Sequence, residues 1–314
     1  MEIIKRVAVS AILLIAVLLG VAGCSKAPTT SQPPASSTAV LDSQKSANFV
    51  SAAWLKDNLN SVILLDARTE KEYQAGHIPG ALNATWQSLS NMNGKPGDKG
   101  WGTLLPKDEL SKKIGALGID GSKPVVVYAD PKGWGEDGRV VWTLRVSGIQ
   151  NSKMLDGGWK VWQAAKYEVS TAAPPAITSA TYTIASMDDS FNATTDWILA
   201  NKDKIKIVDA RTPKEYAGAT DFGEARGGRL PGAISLPFQN TFNDDGTIKS
   251  TDELKAIFAN AGLKPNDVIV TYCTKGIRSA HLALLLRMAG FNNTRNYDAS
   301  YYEWAGNKAL QVEK

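Results

Sequence analysis

Near the C-terminus, a short apolar run is followed by a loop and then by a helical pattern of leucines. Residues 268–272 are β-branched or aromatic and come after a turn-forming Lys-Pro-Asn-Asp sequence, which predicts a buried strand. Apolar residues recur with helical spacing from Ser279 to Met288, and Gly290 provides a left-handed stop. Cys273 therefore lies on a tight strand-to-helix loop.

The chain contains this kind of pattern twice. A Leu-Leu-Asp-Ala-Arg-Thr sequence around Asp66 recurs as Ile-Val-Asp-Ala-Arg-Thr around Asp209, and similar Pro-Gly-Ala turns follow at Gly76 and Gly228. Order and spacing are kept, which indicates a duplicated domain. Strands alternate with helical segments in each copy. The predicted fold class is therefore α/β, with two tandem domains that each contain a parallel β-sheet flanked by helices on both faces.

Composition divides the remainder of the chain. Residues 1–23 have a charged start, an apolar middle and small residues at the end, which is typical of a cleaved signal peptide; a short membrane-spanning helix is the alternative. Residues 24–47, rich in Ser, Thr, Pro and Ala, predict a disordered tether. The first copy occupies residues 48–165 and the second copy residues 183–314. A Pro-Pro pair and few large residues mark 166–182 as the interdomain linker.

The predicted signal peptide ends in a Val-Ala-Gly-Cys sequence at Cys24, which resembles a bacterial lipobox. The resemblance implies cleavage before Cys24, a diacylglycerol group on its sulfur and acylation of the new N-terminus. Several lipid chains suffice for stable anchoring. We therefore expect an extracytoplasmic lipoprotein of the bacterial cell envelope, anchored to the membrane through Cys24.

Size, charge and cysteine content agree with this organisation. Residues 48–314 are long enough for two domains with substantial cores, and 43% of the sequence is hydrophobic. The formal net charge is only +4, which does not indicate a nucleic-acid partner. One of the two cysteines is expected to carry lipid, so no intrachain disulfide is expected.

The loop after the 268–272 strand has the features of a reactive thiol site. Backbone amides at the start of a helix favour negative charge, Lys275 and Arg278 add positive charge, and Gly276 permits a tight turn. These effects predict a lowered pKa for the thiol of Cys273 and a nucleophile at neutral pH. A small buried apolar cysteine is the alternative. His281 is not expected to act as a base, because a thiol of low pKa needs none.

The sequence Cys-Thr-Lys-Gly-Ile-Arg from Cys273, followed by Ser-Ala-His, resembles the active loop of rhodaneses, the thiosulfate sulfurtransferases. With the repeated motifs, the resemblance to two-domain rhodaneses extends over residues 48–310. It implies that Cys273 is the catalytic nucleophile, that it carries sulfur as a persulfide, and that no metal or organic cofactor is required. The implied substrate-binding residues are Thr274, Lys275, Gly276, Ile277, Arg278, Ser279 and Arg229.

The first copy has no cysteine in its loop. Matching the predicted strand at 125–128 with residues 268–271 places Asp130 opposite Cys273. A carboxylate cannot carry a sulfane sulfur. The resemblance therefore implies a catalytically inactive first domain that packs against the active one.

The activity expected from the resemblance is thiosulfate:cyanide sulfurtransfer. Thiosulfate gives its outer sulfur to Cys273, and cyanide or a thiol takes it. Lys275 resembles the lysine of thiosulfate-using members, whereas mercaptopyruvate-using relatives usually have a neutral loop. The alternatives are a 3-mercaptopyruvate sulfurtransferase and a non-enzymatic envelope sulfur carrier or redox sensor that works with a protein partner.

Three positions depart from the family pattern. Thr274 stands where an arginine is common, Arg278 where a threonine is common, and Arg229 where a histidine is usual. A further alternative is phosphatase chemistry, because related folds bind phosphate in a Cys-x5-Arg loop. Here Arg278 comes one residue too early for that loop and Ser279 occupies the required place.

The Asp-Ala-Arg motifs contribute charges at the ends of predicted strands. We interpret these Asp and Arg residues as ties between a loop and its domain rather than as catalytic groups. The tryptophans are interpreted as packing residues, with Trp304 a candidate for the rim of the site.

Overall fold

The computed structural model describes residues 42–174 and 176–314 of the chain. The predicted signal peptide, Cys24 and most of the predicted tether lie outside the described residues, so the lipoprotein hypothesis stays a prediction. Within the described part of the chain, no helix is both long and apolar enough to cross a membrane.

Two five-stranded sheets form the framework, one in each copy of the repeat. The first copy contains β1 (Phe49–Val50), β2 (Ile63–Asp66), β3 (Leu82–Asn83), β4 (Val125–Tyr128) and β5 (Ser152–Leu155). The second contains β6 (Asn192–Ala193), β7 (Ile205–Asp209), β8 (Ile234–Ser235), β9 (Val268–Tyr272) and β10 (Thr294–Tyr297). The strand orders are β1-β5-β4-β2-β3 and β6-β10-β9-β7-β8, and every pairing is parallel. The predicted duplication and fold class are confirmed.

Helices cover both faces of each sheet. In the first copy they are α1 (Ser43–Asn48), α2 (Ala52–Asn58), α3 (Glu70–Ala75), α4 (Lys107–Ala116), α5 (Glu136–Val146) and α6 (Gly158–Ala164). In the second they are α7 (Thr195–Asn201), α8 (Pro213–Tyr216), α9 (Thr251–Asn260), α10 (Arg278–Met288) and α11 (Ser300–Gly306). The central strands are apolar and buried on both sides, as parallel strands between helices require.

One hydrophobic cluster extends across both copies. Helices α4 and α5 of the first copy and α9 and α10 of the second contribute buried residues to it. Gly138 allows α5 and α10 to approach closely, because a Cβ there would lie 2.4 Å from the Cβ of His281. Separate clusters fill the outer faces of the two sheets. The two domains therefore share a core. The helices that meet in it, α5 and α10, follow the loop of the first copy and the loop of Cys273, respectively.

The two copies exchange equivalent contacts at this interface. Asp156, after β5, accepts a hydrogen bond of 2.8 Å from the backbone amide of Ile248 in the second copy. Asp298, after β10, accepts one of 2.7 Å from the amide of Leu104 in the first copy. Each carboxylate thus fixes a loop of the opposite domain.

The Asp-Ala-Arg motifs act as the sequence interpretation predicted. Arg68 binds the carboxylate of Asp66, and its Nη2 atom donates to the carbonyl of Gly76 at 2.7 Å. Arg211 does the same in the second copy, where its Nη2 atom lies 2.8 Å from the carbonyl of Gly228. These charge-assisted bonds tie the Pro-Gly-Ala turn to the strand end in both domains.

The last residues of the predicted tether are ordered, so that prediction was wrong for residues 42–47. Asp42 caps α1 by accepting a bond from the amide of Lys45. Lys45 is buried, and its Nζ atom lies 2.7 Å from Asp156 and 2.5 Å from the carbonyl of Ile248. This short helix therefore contacts both domains, and composition alone did not reveal its buried ion pair. In the expected linker, residues 166–174 and 176–182 contain no helix or strand except one bridge from Ser170 to His77.

Candidate active site

Cys273 directly follows β9, at the carboxyl end of the central strand, and residues 274–277 separate it from α10. The predicted strand agrees with β9, and α10 starts one residue earlier than predicted, at Arg278. Cys273 is a free thiol with only 1% of its surface exposed. Its amide donates to the hydroxyl of Ser300 at 2.9 Å, and the hydroxyl of Ser279 lies 3.6 Å from Sγ. The loop thus holds the sulfur below the surface, next to the hydroxyl of Ser279.

The surroundings of the sulfur favour the thiolate. Burial raises the pKa of the Cys273 thiol, but the positive charge of Arg278 and hydrogen bonds from Ser279 and the Lys275 amide more than offset this effect, so the pKa is lowered. The direction agrees with the sequence prediction. A lowered pKa favours the ionised thiol, which is the form that a nucleophilic cysteine requires.

Glu215 is the residue that the sequence interpretation missed. Its carboxylate binds both terminal nitrogens of Arg278, at 2.8 and 2.6 Å, and accepts a bond of 2.9 Å from the hydroxyl of Thr274. Although burial raises the pKa of Glu215, Arg278 and Thr212 lower it to about 2. In the sequence, Glu215 forms a capping box with Thr212 at the start of α8, which gives a purely structural reason for a glutamate.

The ion pair changes the expected role of Arg278. Its charge acts on Cys273 but is shared with Glu215, and the ring of Trp134 lies 4.6 Å from its guanidinium carbon. Lys275 is half-buried, with its Nζ atom 5.8 Å from the centre of the Tyr302 ring. None of the ion pairs found among the described residues involves Lys275.

The remaining predicted substrate-binding residues of the loop are brought together around Cys273. Thr274, Ile277 and Ser279 are buried, and Gly276 has a φ of +74°, the left-handed conformation that the predicted tight turn requires. Their contact with a substrate stays a prediction.

Arg229 lies in a different environment. Its guanidinium stacks over the ring of Tyr216 at 4.6 Å and lies 3.5 Å from the carboxylate of Glu313. The structure therefore engages Arg229 with the C-terminal residues instead of adding it to the cysteine loop. Trp304 is also a packing residue, buried in the outer core with its ring nitrogen bonded to the carbonyl of Gln311.

The structural counterpart of Cys273 is Ala129, and the predicted match with Asp130 was wrong by one residue. In each sheet the aspartate of the Asp-Ala-Arg motif pairs with a tyrosine, Tyr128 or Tyr272, that directly precedes this position. The carbonyl groups of Ala129 and Cys273 accept equivalent bonds from α6 and α11. The prediction aligned the first residues of the two strands, but β9 is one residue longer than β4, so the positions after the strands were matched one residue apart. Alanine, like aspartate, cannot carry a sulfane sulfur.

The charge at the start of the following helix is reversed between the copies. Arg278 is the first residue of α10, whereas Glu136 is the first residue of α5. The counterpart of Glu215 is Glu72, the glutamate of the other Thr-x-x-Glu capping box. Burial and then the charge of Glu72 raise the pKa of Glu136. An ion pair beside the cysteine is thus replaced by two carboxylates in the first copy.

Ser300 is a second residue whose role appears only in the structure. It has a φ of +56°, a conformation that is costly for a residue with a side chain, and the first copy has Gly158 at this position. The serine hydroxyl accepts the bond from the Cys273 amide. The signal in the sequence for this role is that the second copy has a serine where the first copy has a glycine.

The described residues contain no candidate metal site. Within residues 42–174 and 176–314, no group of three or more His, Cys, Asp or Glu side chains is arranged to hold a metal ion.

These observations define a class: a tandem α/β protein in which one of two homologous domains carries a buried, activated thiol. The model of the Rhodanese-like domain family matches residues 51–165 and 194–307, so the chain belongs to the rhodanese family. The predicted tandem rhodanese fold is confirmed, and the interpretation of the chain as a sulfurtransferase is confirmed at the level of the family.

Similar proteins align with this chain over most of their own length. A putative thiosulfate sulfurtransferase of Saccharopolyspora erythraea is 30% identical over 84% of this chain and 95% of that protein. A thiosulfate sulfurtransferase of Corynebacterium glutamicum is 30% identical over 84% of this chain and 90% of its own. A sulfur carrier protein of Thermus thermophilus is 28% identical over 85% of this chain and 96% of that protein.

A solved structure shares the fold. The anaerobic ergothioneine biosynthesis enzyme of Chlorobium limicola superposes with a TM-score of 0.76 and 22% identity, covering 86% of this chain and 71% of that one. At this identity the likeness concerns the fold alone.

Proposed function

We propose that the protein is a thiosulfate sulfurtransferase that works through a persulfide on Cys273. The observation that carries the proposal is the lowered pKa of a buried thiol on a loop whose amides and Arg278 stabilise negative charge. Two relatives at 30% identity are named as thiosulfate sulfurtransferases, one of them as putative.

The reaction has two steps. The Cys273 thiolate attacks the outer sulfur of thiosulfate, the sulfur–sulfur bond breaks, and sulfite leaves with the electron pair. Cyanide or a thiolate then attacks the outer sulfur of the persulfide, and the Cys273 thiolate is released. The loop amides hold the sulfur-bound charge in both steps. Lys275 is the cation proposed to bind the sulfonate, because the positive charge of Arg278 is balanced by Glu215.

The same geometry weakens the phosphatase alternative. A phosphate loop needs its arginine directed at the bound anion, whereas both terminal nitrogens of Arg278 are directed at Glu215. A dianionic phosphate would have to displace a buried carboxylate from this arginine.

A protein acceptor is a second candidate for the receiving partner. Trp134 of the first copy and Phe222 of the second are 38% and 37% exposed and contact each other edge to face, with ring centres 4.7 Å apart. This aromatic pair lies beside Arg278 and is apolar surface that a protein can cover. One relative is named as a sulfur carrier protein.

For the N-terminal segment we propose signal cleavage and lipidation at Cys24, which would place both domains on the outer side of a bacterial membrane. The support is the Val-Ala-Gly-Cys sequence after an apolar run. Labelling with radioactive palmitate, compared between the full-length chain and Cys24→Ser, tests it. Unlabelled wild-type protein would rule out the lipid anchor without affecting the proposed reaction.

The reaction is tested with the purified form that begins after Cys24. Thiocyanate production is measured with thiosulfate and with mercaptopyruvate as donors, in parallel with Cys273→Ser. We expect turnover that depends on Cys273 and prefers thiosulfate. Preference for mercaptopyruvate would assign the alternative enzyme. A persulfide on Cys273 in the mass spectrum without turnover on cyanide would support the carrier role.

A further inference from the structure

Arg139, in α5 of the first copy, extends into the loop that carries Cys273. Its side chain is completely buried. Nη1 donates to the carbonyl of Gly276 at 3.1 Å, Nη2 donates to the carbonyl of Gly102 at 3.0 Å, and the guanidinium forms an ion pair with Asp298. One side chain of the domain without the thiol thus connects three backbone segments, two of them in the domain with the thiol.

The contact at Gly276 determines how the cysteine loop is oriented. The Gly276 carbonyl accepts bonds from Arg139 and, at 3.3 Å, from the side-chain Nδ2 of Asn296. A Cβ on Gly276 would lie 2.3 Å from the carbonyl oxygen of Asp298 and 2.9 Å from Nη1 of Arg139, so the loop backbone is pressed against these groups. The amide of Lys275, one residue earlier, helps to lower the pKa of the Cys273 thiol. The Gly276 carbonyl and the amide of Ile277 point in opposite directions across one planar peptide, so holding the carbonyl outward turns this amide toward the inside of the loop.

The duplication contains a natural comparison for this arginine. The counterpart of Arg139 is His281, which takes the same place in α10 and packs against Gly135 in the loop of the first copy. Burial lowers the pKa of His281 to about 4, so its imidazole is neutral at physiological pH. Asp156, the counterpart of Asp298, instead forms an ion pair with Lys45 of α1. At these two equivalent positions, the loop that carries the thiol is therefore contacted by an arginine and the loop of the first copy by a histidine.

We propose that Arg139 is a positioning residue for sulfur transfer: it holds the Gly276 carbonyl and thereby keeps the loop amides directed at the sulfur of Cys273. The inactive domain is in this way part of the active site of the other domain. The effect on turnover rests on the proposed function, but the effect on thiol ionisation does not.

The test compares Arg139→Met with Arg145→Met in the protein that begins after Cys24. Arg145 is a matched control, because it is another buried arginine of α5 and, among the described residues, its side chain donates hydrogen bonds to Asn48 and Ser152 of the first copy alone. The rate of Cys273 alkylation by iodoacetamide is measured against pH, together with kcat, KM and thermal unfolding. In Arg139→Met we expect the alkylation midpoint to move to higher pH and kcat to fall on the order of 10- to 100-fold. We expect KM to change less, since Arg139 is proposed to contact the loop and not the donor.

Arg145→Met should lower the melting temperature and leave the alkylation midpoint of the wild type in place. Arg139→Lys, which keeps the charge but has one donor group in place of the fork, should lie between Arg139→Met and the wild type. If Arg139→Met does not fold, Arg139→Met with Asp298→Asn removes both buried charges and carries the same expected shift. An unchanged alkylation midpoint in folded Arg139 variants overturns the proposal. Absence of thiosulfate turnover in the wild type would instead count against the proposed function, while the alkylation profile would still decide the role of Arg139.

Discussion

The carboxylate of Glu215 binds both terminal nitrogens of Arg278, at 2.8 and 2.6 Å, and the counterpart of this pair in the first copy consists of two glutamates. The ion pair combines two effects. It secures a buried arginine near the thiol, and it limits how much of the arginine's charge a substrate can use. The asymmetry between the copies therefore extends beyond the cysteine itself.

Arg278→Met should raise the pKa of the Cys273 thiol, because the largest charge that favours the thiolate is lost. The variant should also be destabilised by about 3–5 kcal/mol, since Glu215 is left buried without a partner. Arg278→Met with Glu215→Gln should recover much of the stability but not the thiol pKa. Denaturant unfolding and the pH dependence of alkylation separate the two effects, and a recovered thiol pKa in the double variant would contradict the assignment.

Lys275→Ala should raise KM for thiosulfate more than KM for mercaptopyruvate. Lys275 forms no ion pair with any of the described residues, so its charge is available to the sulfonate. The matched control is Lys132→Ala, an exposed lysine in the loop of the first copy. Equal increases for both donors would remove the basis for assigning thiosulfate to this lysine.

His281 should make the protein sensitive to mild acid. Burial lowers its pKa from 6.5 to about 4, so the folded state binds a proton less readily than the unfolded state. The contribution of His281 to the stability is complete above pH 6.5 and is lost as the pH falls toward 4, by a total on the order of 3 kcal/mol. The nearby carboxyl of Asp137, whose pKa burial raises to about 7, contributes in the opposite direction. His281→Gln should remove the loss that is due to the histidine and make the protein relatively more stable at pH 4 than the wild type. A slope between pH 6.5 and 4 identical to that of the wild type would show that another group is responsible.

Ser300→Ala and Ser300→Gly should separate backbone strain from hydrogen bonding. Both variants remove the acceptor of the Cys273 amide, so both should lose activity. Only alanine keeps a Cβ at a φ of +56°, and we expect the alanine variant to be less stable than the glycine variant by about 1 kcal/mol. Full activity in either variant would show that this bond is dispensable for the loop.

Introducing a cysteine into the first copy should not create a second site. Ala129→Cys, combined with Cys273→Ser, places a thiol at the equivalent position, but Glu136 replaces the arginine at the start of the helix. Its loop also has six residues before the helix, 130–135, where the second copy has four, 274–277. The pKa of the new thiol should not be lowered, and thiocyanate production should stay at the level of Cys273→Ser. Restored turnover would mean that the thiol alone defines the site.

The sequence by itself was sufficient for the fold class, the duplication and the position of Cys273. These features depend on local and repeated patterns. A run of β-branched residues predicts a parallel strand, and leucines at helical spacing predict α10. A cysteine followed by a glycine and two cations predicts a reactive loop. The match to Asp130 failed because the alignment of the two copies depends on strand pairing, and a one-residue difference in strand length is invisible in the residue pattern.

Which charges meet depends on how distant parts of the chain pack. Glu215 has a local reason to exist as a capping residue, so nothing in the sequence connects it with Arg278, which lies 63 positions away. Arg139 lies in the other domain from the loop that it contacts, and the pattern of α5 reveals only a buried helix. The same holds for Arg229, which pairs with Glu313 through the return of the C-terminal residues. Periodicity determines which faces are buried, because burial follows from the spacing of apolar residues along one element. The pairing of buried charges follows from how separate elements pack, and that information exists only in three dimensions.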